Sequence, residues 1–317
     1  LTTPLTTPLT ATLTAALNDY LDLRRSLGYS LNRDAKLLAQ FIGYLHEHGS
    51  TTITTADALA WATLPVGGSP GWLGYRLAVV RGFATYLHTL DPSTQIPPRG
   101  LLPGGTRRAV PYLYSAGDIT ALLAQAERLK TPLRTATIQT FIGLMAVTGM
   151  RGGEVVALDD ADFDAERGLL QVRHAKFGKW RQLPLHPTTV TAVNNYRNLR
   201  ERYFPSPFSP ALLVSSVGTR LLYFNVGFTF TTLVRRAGLV ARSGSCRPRP
   251  HDLRHTFAVT TLLDWCRDEG DVAARMPLLS AYLGHTEPAN TYWYLQAAPE
   301  LLAEAAHRLD PQTEPPR

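Results

Sequence analysis

Between Arg235 and Arg254 the chain carries six arginines (Arg235, Arg236, Arg242, Arg247, Arg249 and Arg254) and one acid, Asp252. Ser243-Gly244-Ser245 lies inside that run and can present backbone N–H groups to an anion. Positive charge of this density is read here as a surface that contacts phosphates rather than as a solvated face. The run ends in His251-Asp252-Leu253-Arg254-His255, which adds two imidazoles able to move protons at neutral pH. Histidines at i and i+4 also resemble the H-E-x-x-H zinc arrangement. The acid is Asp rather than Glu, however, an arginine interrupts the motif, and a dication would sit among guanidinium groups. No metal is therefore expected, and a capping or core role for His251 stays open as the structural alternative.

Two further places could do chemistry. Arg151 follows the apolar run Phe141–Val147 and precedes Gly152-Gly153-Glu154. An arginine at the end of a buried run must be paired, because an unpaired buried charge costs several kcal/mol. Glu154 is one helical turn on, either as a structural partner or to orient Arg151 toward a phosphate. Near the C-terminus, Leu283-Gly284-His285 is followed by Asn290-Thr291-Tyr292-Trp293-Tyr294-Leu295. Tyr292 and Tyr294 lie about 200° apart on a helix, so one packs while the other faces a cleft.

The elements that hold these residues follow from periodicity. Residues 13–90 read as four amphipathic helices: the first around Leu13, Leu17 and Leu21 closes at Gly28, and the second around Leu37, Phe41 and Leu45 stops at Gly49. A short third follows Thr55, and the fourth has Ser69 as N-cap and Pro70 at its first position. Residues 1–92 hold six basic and six acidic residues, so only one face could meet DNA, with Arg24, Arg25, Arg76 and Arg81 as candidates. Residues 93–112 form a basic Pro/Gly linker with Arg107 and Arg108. From Ser115 the pattern is helical again. Alternating segments 168–174 and 181–186 then flank a hairpin turn bearing Lys176 and Lys179, and helices follow to about Leu309.

Composition narrows the class. The 317 residues carry 32 Lys+Arg against 25 Asp+Glu, a formal charge of +7, which suits a polyanionic partner. Only four of the 32 are lysines (Lys36, Lys130, Lys176 and Lys179); a GC-rich genome would give the same bias. Two cysteines, Cys246 and Cys266, exclude a disulfide scaffold and a multi-cysteine metal site. No apolar run approaches the roughly 18 residues of a membrane span, and the first residues lack a secretory pattern. A cytoplasmic, nucleoid-associated setting is the expectation.

Taken in order, these pieces resemble the tyrosine recombinase (phage integrase) family. Thr148–Leu158 is similar to its first arginine box, Ala175–Leu185 to its lysine-bearing hairpin, and Pro250–Ala258 to its His-x-x-Arg box. His285 with Tyr294 nine residues on fits the spacing from third box to nucleophile. The resemblance implies a mainly α fold with a small antiparallel β-sheet: an N-terminal helical core-binding (SAM-like) bundle, 1–92, and an α+β catalytic domain, 113–317.

It further implies site-specific cleavage and rejoining of DNA without ATP or metal. Tyr294 would form a 3′-phosphotyrosyl link, Arg151 and Arg254 would hold the phosphate oxygens, and Lys176 would protonate the leaving 5′-oxygen. His251 would act as acid/base, His285 would bond the phosphate, and Glu154 would support Arg151. Lys179 is the rival lysine and Tyr292 the rival nucleophile, two residues short in spacing. Asp264–Val272 reads as an insertion at a helix junction. The implied partners are duplex DNA with an inverted-repeat core site, three further copies of the chain docked through an amphipathic helix at 299–309, and an accessory DNA-bending protein or partner recombinase. A catalytically silent DNA-binding accessory factor of the same fold is the alternative.

Overall fold

The computed structural model describes residues 9–103, 109–173, 180–206, 208–268, 271–285 and 287–297. Contacts divide the chain into two units, Leu1–Arg108 and Ala109–Arg317.

The first unit is built from α1 (Leu9–Ser26), α2 (Asn32–Glu47), α3 (Thr55–Thr63) and α4 (Pro70–Leu90). Ser69 caps α4 by accepting from Trp72 N, with Pro70 in the first turn, as its sequence implies. Leu38, Phe41 and Leu45 of α2 meet Trp61 of α3 and Val80 and Phe83 of α4 in one core. Two of the candidate DNA-facing arginines lie elsewhere. Arg76 is buried on the core side of α4, donating to Trp61 O at 2.7 Å with its guanidinium 3.7 Å from the Trp61 ring. Arg81 donates to Pro97 O and Pro98 O at 2.7 and 2.8 Å, which pins the first part of the proline-rich segment onto the bundle.

The second unit opens with α5 (Ala116–Ala126), whose N-cap Ser115 exchanges hydrogen bonds with Asp118 in a capping box. Next comes α6 (Pro132–Thr148), with Phe141, Ile142 and Met145 wholly buried. Val147, at the end of the apolar run, is nevertheless exposed. The six-residue α7 (Gly152–Ala157) leads through a 3-10 turn to the antiparallel sheet β1 (Phe163–Asp164), β2 (Leu169–Val172) and β3 (Arg181–Pro184). In its register Leu170 faces Leu183 and Val172 faces Arg181, so Leu170, Val172 and Leu183 turn to the core. The strand β1 is too short for its alternation to show in sequence, and it extends the expected two-stranded hairpin to three strands.

Five helices complete the described part: α8 (Pro187–Tyr203), α9 (Tyr223–Arg236), α10 (Pro250–Arg267), α11 (Val272–Leu283) and the shorter α12 (Ala289–Ala297). Within the segment read as an insertion, Asp264–Arg267 form the last turn of α10 and Val272 is the first residue of α11. Ala258, Val259 and Leu262 of α10 pack with Met276, Leu279 and Leu283 of α11 and with Tyr294 of α12. No described helix is long and apolar enough to cross a membrane.

Candidate active site

Arg151, His251 and His285 sit at or beside the ends of helices, where the backbone fixes their direction, and Tyr294 lies within α12. Arg151 is the N-cap of α7, and its own N–H donates to Glu154 Oε2 at 3.0 Å, the reciprocal half of a capping box. Its Nη1 donates to Glu154 Oε1 at 2.8 Å and its Nη2 to Gly284 O at 3.2 Å. Glu154 thus pairs with Arg151, as expected. It also accepts two bonds from Arg181 of β3, at 2.7 and 3.3 Å, from a residue the sequence reading left without a role. Burial alone would raise the Glu154 pKa. The hydrogen bonds and charge of Arg181, then the N–H and charge of Arg151, outweigh it and hold the carboxyl at about 2.

The first turn of α10 supplies His251 and Arg254. Pro250 opens the helix, and Asp252, wholly buried, accepts from the main-chain N of Arg249 at 3.1 Å. The Arg249 guanidinium, a candidate DNA contact, instead lies on Asp252 at 3.0 and 2.7 Å. Burial pushes Asp252 up even as Arg249 pulls it down, and Arg249 is itself raised by its hydrogen bonds to Asp252. The two-pronged geometry identifies an ion pair.

Arg254 is 1% exposed, and it donates to Gly149 O and Leu283 O, both at 2.8 Å. Burial and then the charge of Arg151 lower it to about 10, against an upward pull from Tyr294 and Glu154. His251 keeps solvent access; crowding by its neighbours, then the charges of Arg254, Arg151 and Arg249, push its pKa down. One turn on, His255 lies with its ring 4.8 Å from that of His251, and its buried Nδ1 has no hydrogen-bond partner among the described residues.

The third part is the end of α11. Gly284 adopts φ +68°, and the His285 N–H returns to Ser280 O at 3.0 Å, a left-handed cap that directs His285 away from the helix. His285 Nδ1 lies 2.6 Å from Thr291 Oγ1 of α12. Its ring stacks at 6.2 Å on Tyr294, which also meets the edge of His255 at 5.5 Å. Tyr294 is 2% exposed and Tyr292 47%, so of the two tyrosines Tyr294 is the one turned inward, into this polar cluster. Thr291, His255 and Arg181 complete the surroundings. Only spacing could have signalled Thr291, and nothing local could have signalled Arg181.

Arg151, Glu154, His251, Arg254, His285 and Tyr294 are thus brought together. Lys176 and Lys179 lie outside the described residues, as do Arg107, Arg108 and the helix expected at 299–309. Arg235, Arg236 and Arg247 are exposed, while Arg242 donates to Leu113 O and covers the Tyr112 ring. Cys246, in the same stretch, is buried with its Sγ against Pro111 O. Among the described residues no group of three or more His, Cys, Asp or Glu side chains could hold a metal ion.

Residues 115–300 match the profile of the phage integrase family. The chain belongs to that family. A Sinorhizobium fredii protein, y4rB, named as an integrase/recombinase, is 40% identical over 302 residues, 93% of this chain and 96% of its own. The tyrosine recombinase XerC of Escherichia coli O157:H7 is 27% identical over 91% of this chain and 93% of its own. Among solved structures, the XerH recombinase in a post-cleavage complex with its palindromic difH substrate has a TM-score of 0.64 at 19% identity, covering 94% of this chain and 84% of that one. A lambda integrase dimer bound to a core site has a TM-score of 0.62 at 16% identity, covering 91% and 80%. At these identities the structural likeness establishes the fold, and this integrase-family chain has the mainly α architecture with a small antiparallel sheet that its sequence implied.

Proposed function

We propose that this chain is a site-specific DNA recombinase that works through a covalent tyrosyl intermediate. One observation carries the reading. Arg254 and Arg151, from separate elements, anchor on the consecutive carbonyls of Leu283 and Gly284, immediately before the histidine whose ring stacks on Tyr294. Two guanidiniums, two accessible or half-buried histidines and a phenol at one point suit an in-line displacement at a phosphodiester.

In that reaction the Tyr294 oxygen attacks phosphorus, the bond to the 5′-oxygen breaks, and a 3′-phosphotyrosyl link remains. Arg151 and Arg254 stabilise charge on the non-bridging oxygens, using N–H groups left over from their carbonyl bonds. His251, kept neutral at physiological pH, takes and returns a proton, and His285 bonds the phosphate. Lys176 protonates the leaving oxygen. Attack of a 5′-hydroxyl from another strand reverses the steps, and the covalent link conserves the bond energy, so strand exchange needs no ATP.

The reading extends to the rest of the chain. The unit ahead of residue 93 forms the core-binding part on an inverted-repeat duplex, residues 93–112 tether it, and Arg235, Arg236 and Arg247 contact backbone phosphates. Four copies act together, joined through residues 299–309.

The test uses nicked duplexes that trap cleavage, drawn from DNA flanking the gene. A protein–DNA adduct that survives detergent and is lost in Tyr294→Phe supports the mechanism and, once sequenced, gives the site. An adduct that persists in that variant overturns the choice of nucleophile. Salt-sensitive binding to specific fragments with no adduct, in the presence of partner recombinases as well, favours the silent accessory factor.

A further inference from the structure

The Glu154 carboxylate joins two arginines that are 30 positions apart in the chain and belong to different elements. Arg151 takes Oε1 through Nη1, at 2.8 Å, and Oε2 through its main-chain N–H, at 3.0 Å. Arg181 takes Oε2 at 2.7 Å and Oε1 at 3.3 Å. Both partners are well covered, with side-chain exposures of 12% for Arg181 and 10% for Glu154, whereas Arg151 keeps 37%. One negative charge thus serves two positive ones. If Arg151 alone faced Glu154, its charge would be largely cancelled; with Arg181 supplying a second cation, a net positive charge remains at the exposed member.

A second contact reaches the other side of the site. A Cβ placed on Gly284 would lie 2.7 Å from Arg181 Nη1 and 3.0 Å from its Cζ, so the guanidinium lies flat against the bare helix end. Gly284 is also the residue whose carbonyl receives Arg151. Arg181 therefore touches both supports of Arg151, the acid and the helix terminus, and it does so from the first residue of β3. That strand leaves the segment containing Lys176.

We propose that Arg181 is a positioning residue for the strand-cleavage reaction: through Glu154 and the end of α11 it holds Arg151 in place and locks the β2–β3 hairpin to the site. It touches no DNA and acts through Arg151. The inference rests on the function proposed above.

The test measures single-turnover adduct formation and equilibrium DNA binding for R181Q, R181K, E154Q and the R181Q/E154Q double variant of the full chain. Misplacing a clamp by about 1 Å costs about 100-fold. R181Q is expected to slow cleavage by about that factor while leaving DNA affinity unchanged. Because both residues act along one path, the double variant is expected to be no slower than the slower single variant. R181K, which keeps the charge without the planar fork, restores part of the rate.

Cleavage by R181Q at the wild-type rate, or losses that multiply in the double variant, would overturn the inference. Thermal melts run alongside, and if R181Q melts early the same comparison is read from R181K. If the wild-type chain forms no adduct on any nicked duplex, the proposed function fails instead. The guanidinium NMR signals of Arg151 then decide the coupling alone: displaced and broadened in R181Q if it holds, unchanged if it does not.

Discussion

Arg254 donates to the carbonyl of Gly149 at 2.8 Å, and Gly149 is a residue that could carry no side chain there. Its φ is +61°, and a Cβ would lie 2.5 Å from Phe257 and 2.9 Å from Leu283. The turn between α6 and Arg151 is thus pressed onto α10 and α11, which places the carbonyl where a buried guanidinium can use it. Gly149→Ala is expected to cost about 1–3 kcal/mol through the left-handed backbone. Thermal unfolding of the full chain measures this, and a variant melting with the wild type would refute the packing argument. Adduct formation should fall as well, because Arg254 loses its anchor.

The burial of Tyr294 against Tyr292 makes a clean comparison. Removing the Tyr294 hydroxyl keeps the ring stacked on His285 and edge-on to His255, so Tyr294→Phe should fold normally and bind DNA, yet form no adduct. Tyr292 is turned outward and is expected to tolerate Phe with full adduct formation. The reverse pattern in a detergent-resistant adduct assay would reassign the nucleophile.

What was readable in the sequence was local. Helix caps such as Ser69 with Pro70, the apolar stripes of α2 and α4, and the boxes around Arg151, Arg254 and His285 all depend on residues a turn or two apart. Arg76 shows the limit. Its charge made it a candidate for the DNA-facing side, yet it is buried, because Trp61 arriving from α3 makes a buried cation tolerable through a carbonyl and an aromatic face. Arg249 shows it again, since a basic run does not reveal that one member answers a wholly buried Asp252. Arg181 reaches Glu154 across 27 positions, and β1 is a two-residue strand that exists because β2 is there to pair with it. Such features belong to the tertiary structure.

The histidines predict how stability changes with pH. Burial, then the charges of His251, Arg249, Arg254 and His285, hold His255 at about 3, against 6.5 for an ordinary imidazole. A depressed histidine stabilises the fold above its unfolded pKa, and that contribution is lost as pH falls, because the unfolded chain binds the proton first. The full chain should therefore lose stability from about pH 6.5 downward, at up to about 1.4 kcal/mol per pH unit for one proton. His251, being solvent-accessible, adds less. Glu154 contributes only lower still, between its ordinary 4.5 and about 2. Denaturant titrations at about pH 7 and about pH 5 should show a smaller difference in His255→Leu; an equal difference would mean that His255 does not titrate in this way.

The arginines separate into two classes with opposite signatures. Arg200 is buried and holds Ala211 O, Leu212 O and Asp160; Arg220 holds Val156 O, Leu158 O and Asp159. Arg235, Arg236 and Arg247 are exposed and form no ion pair among the described residues. Arg200→Met is expected to cost about 1–3 kcal/mol of stability for the carbonyls it strands. Once the chain is folded, the dependence of its DNA affinity on salt should be unchanged. Arg236→Gln and Arg247→Gln should leave thermal unfolding unaltered and reduce the slope of log affinity against log salt by about 1 for each phosphate contact removed. If those slopes match the wild type, the exposed run is a solvated face after all, and the phosphate-contacting surface lies elsewhere.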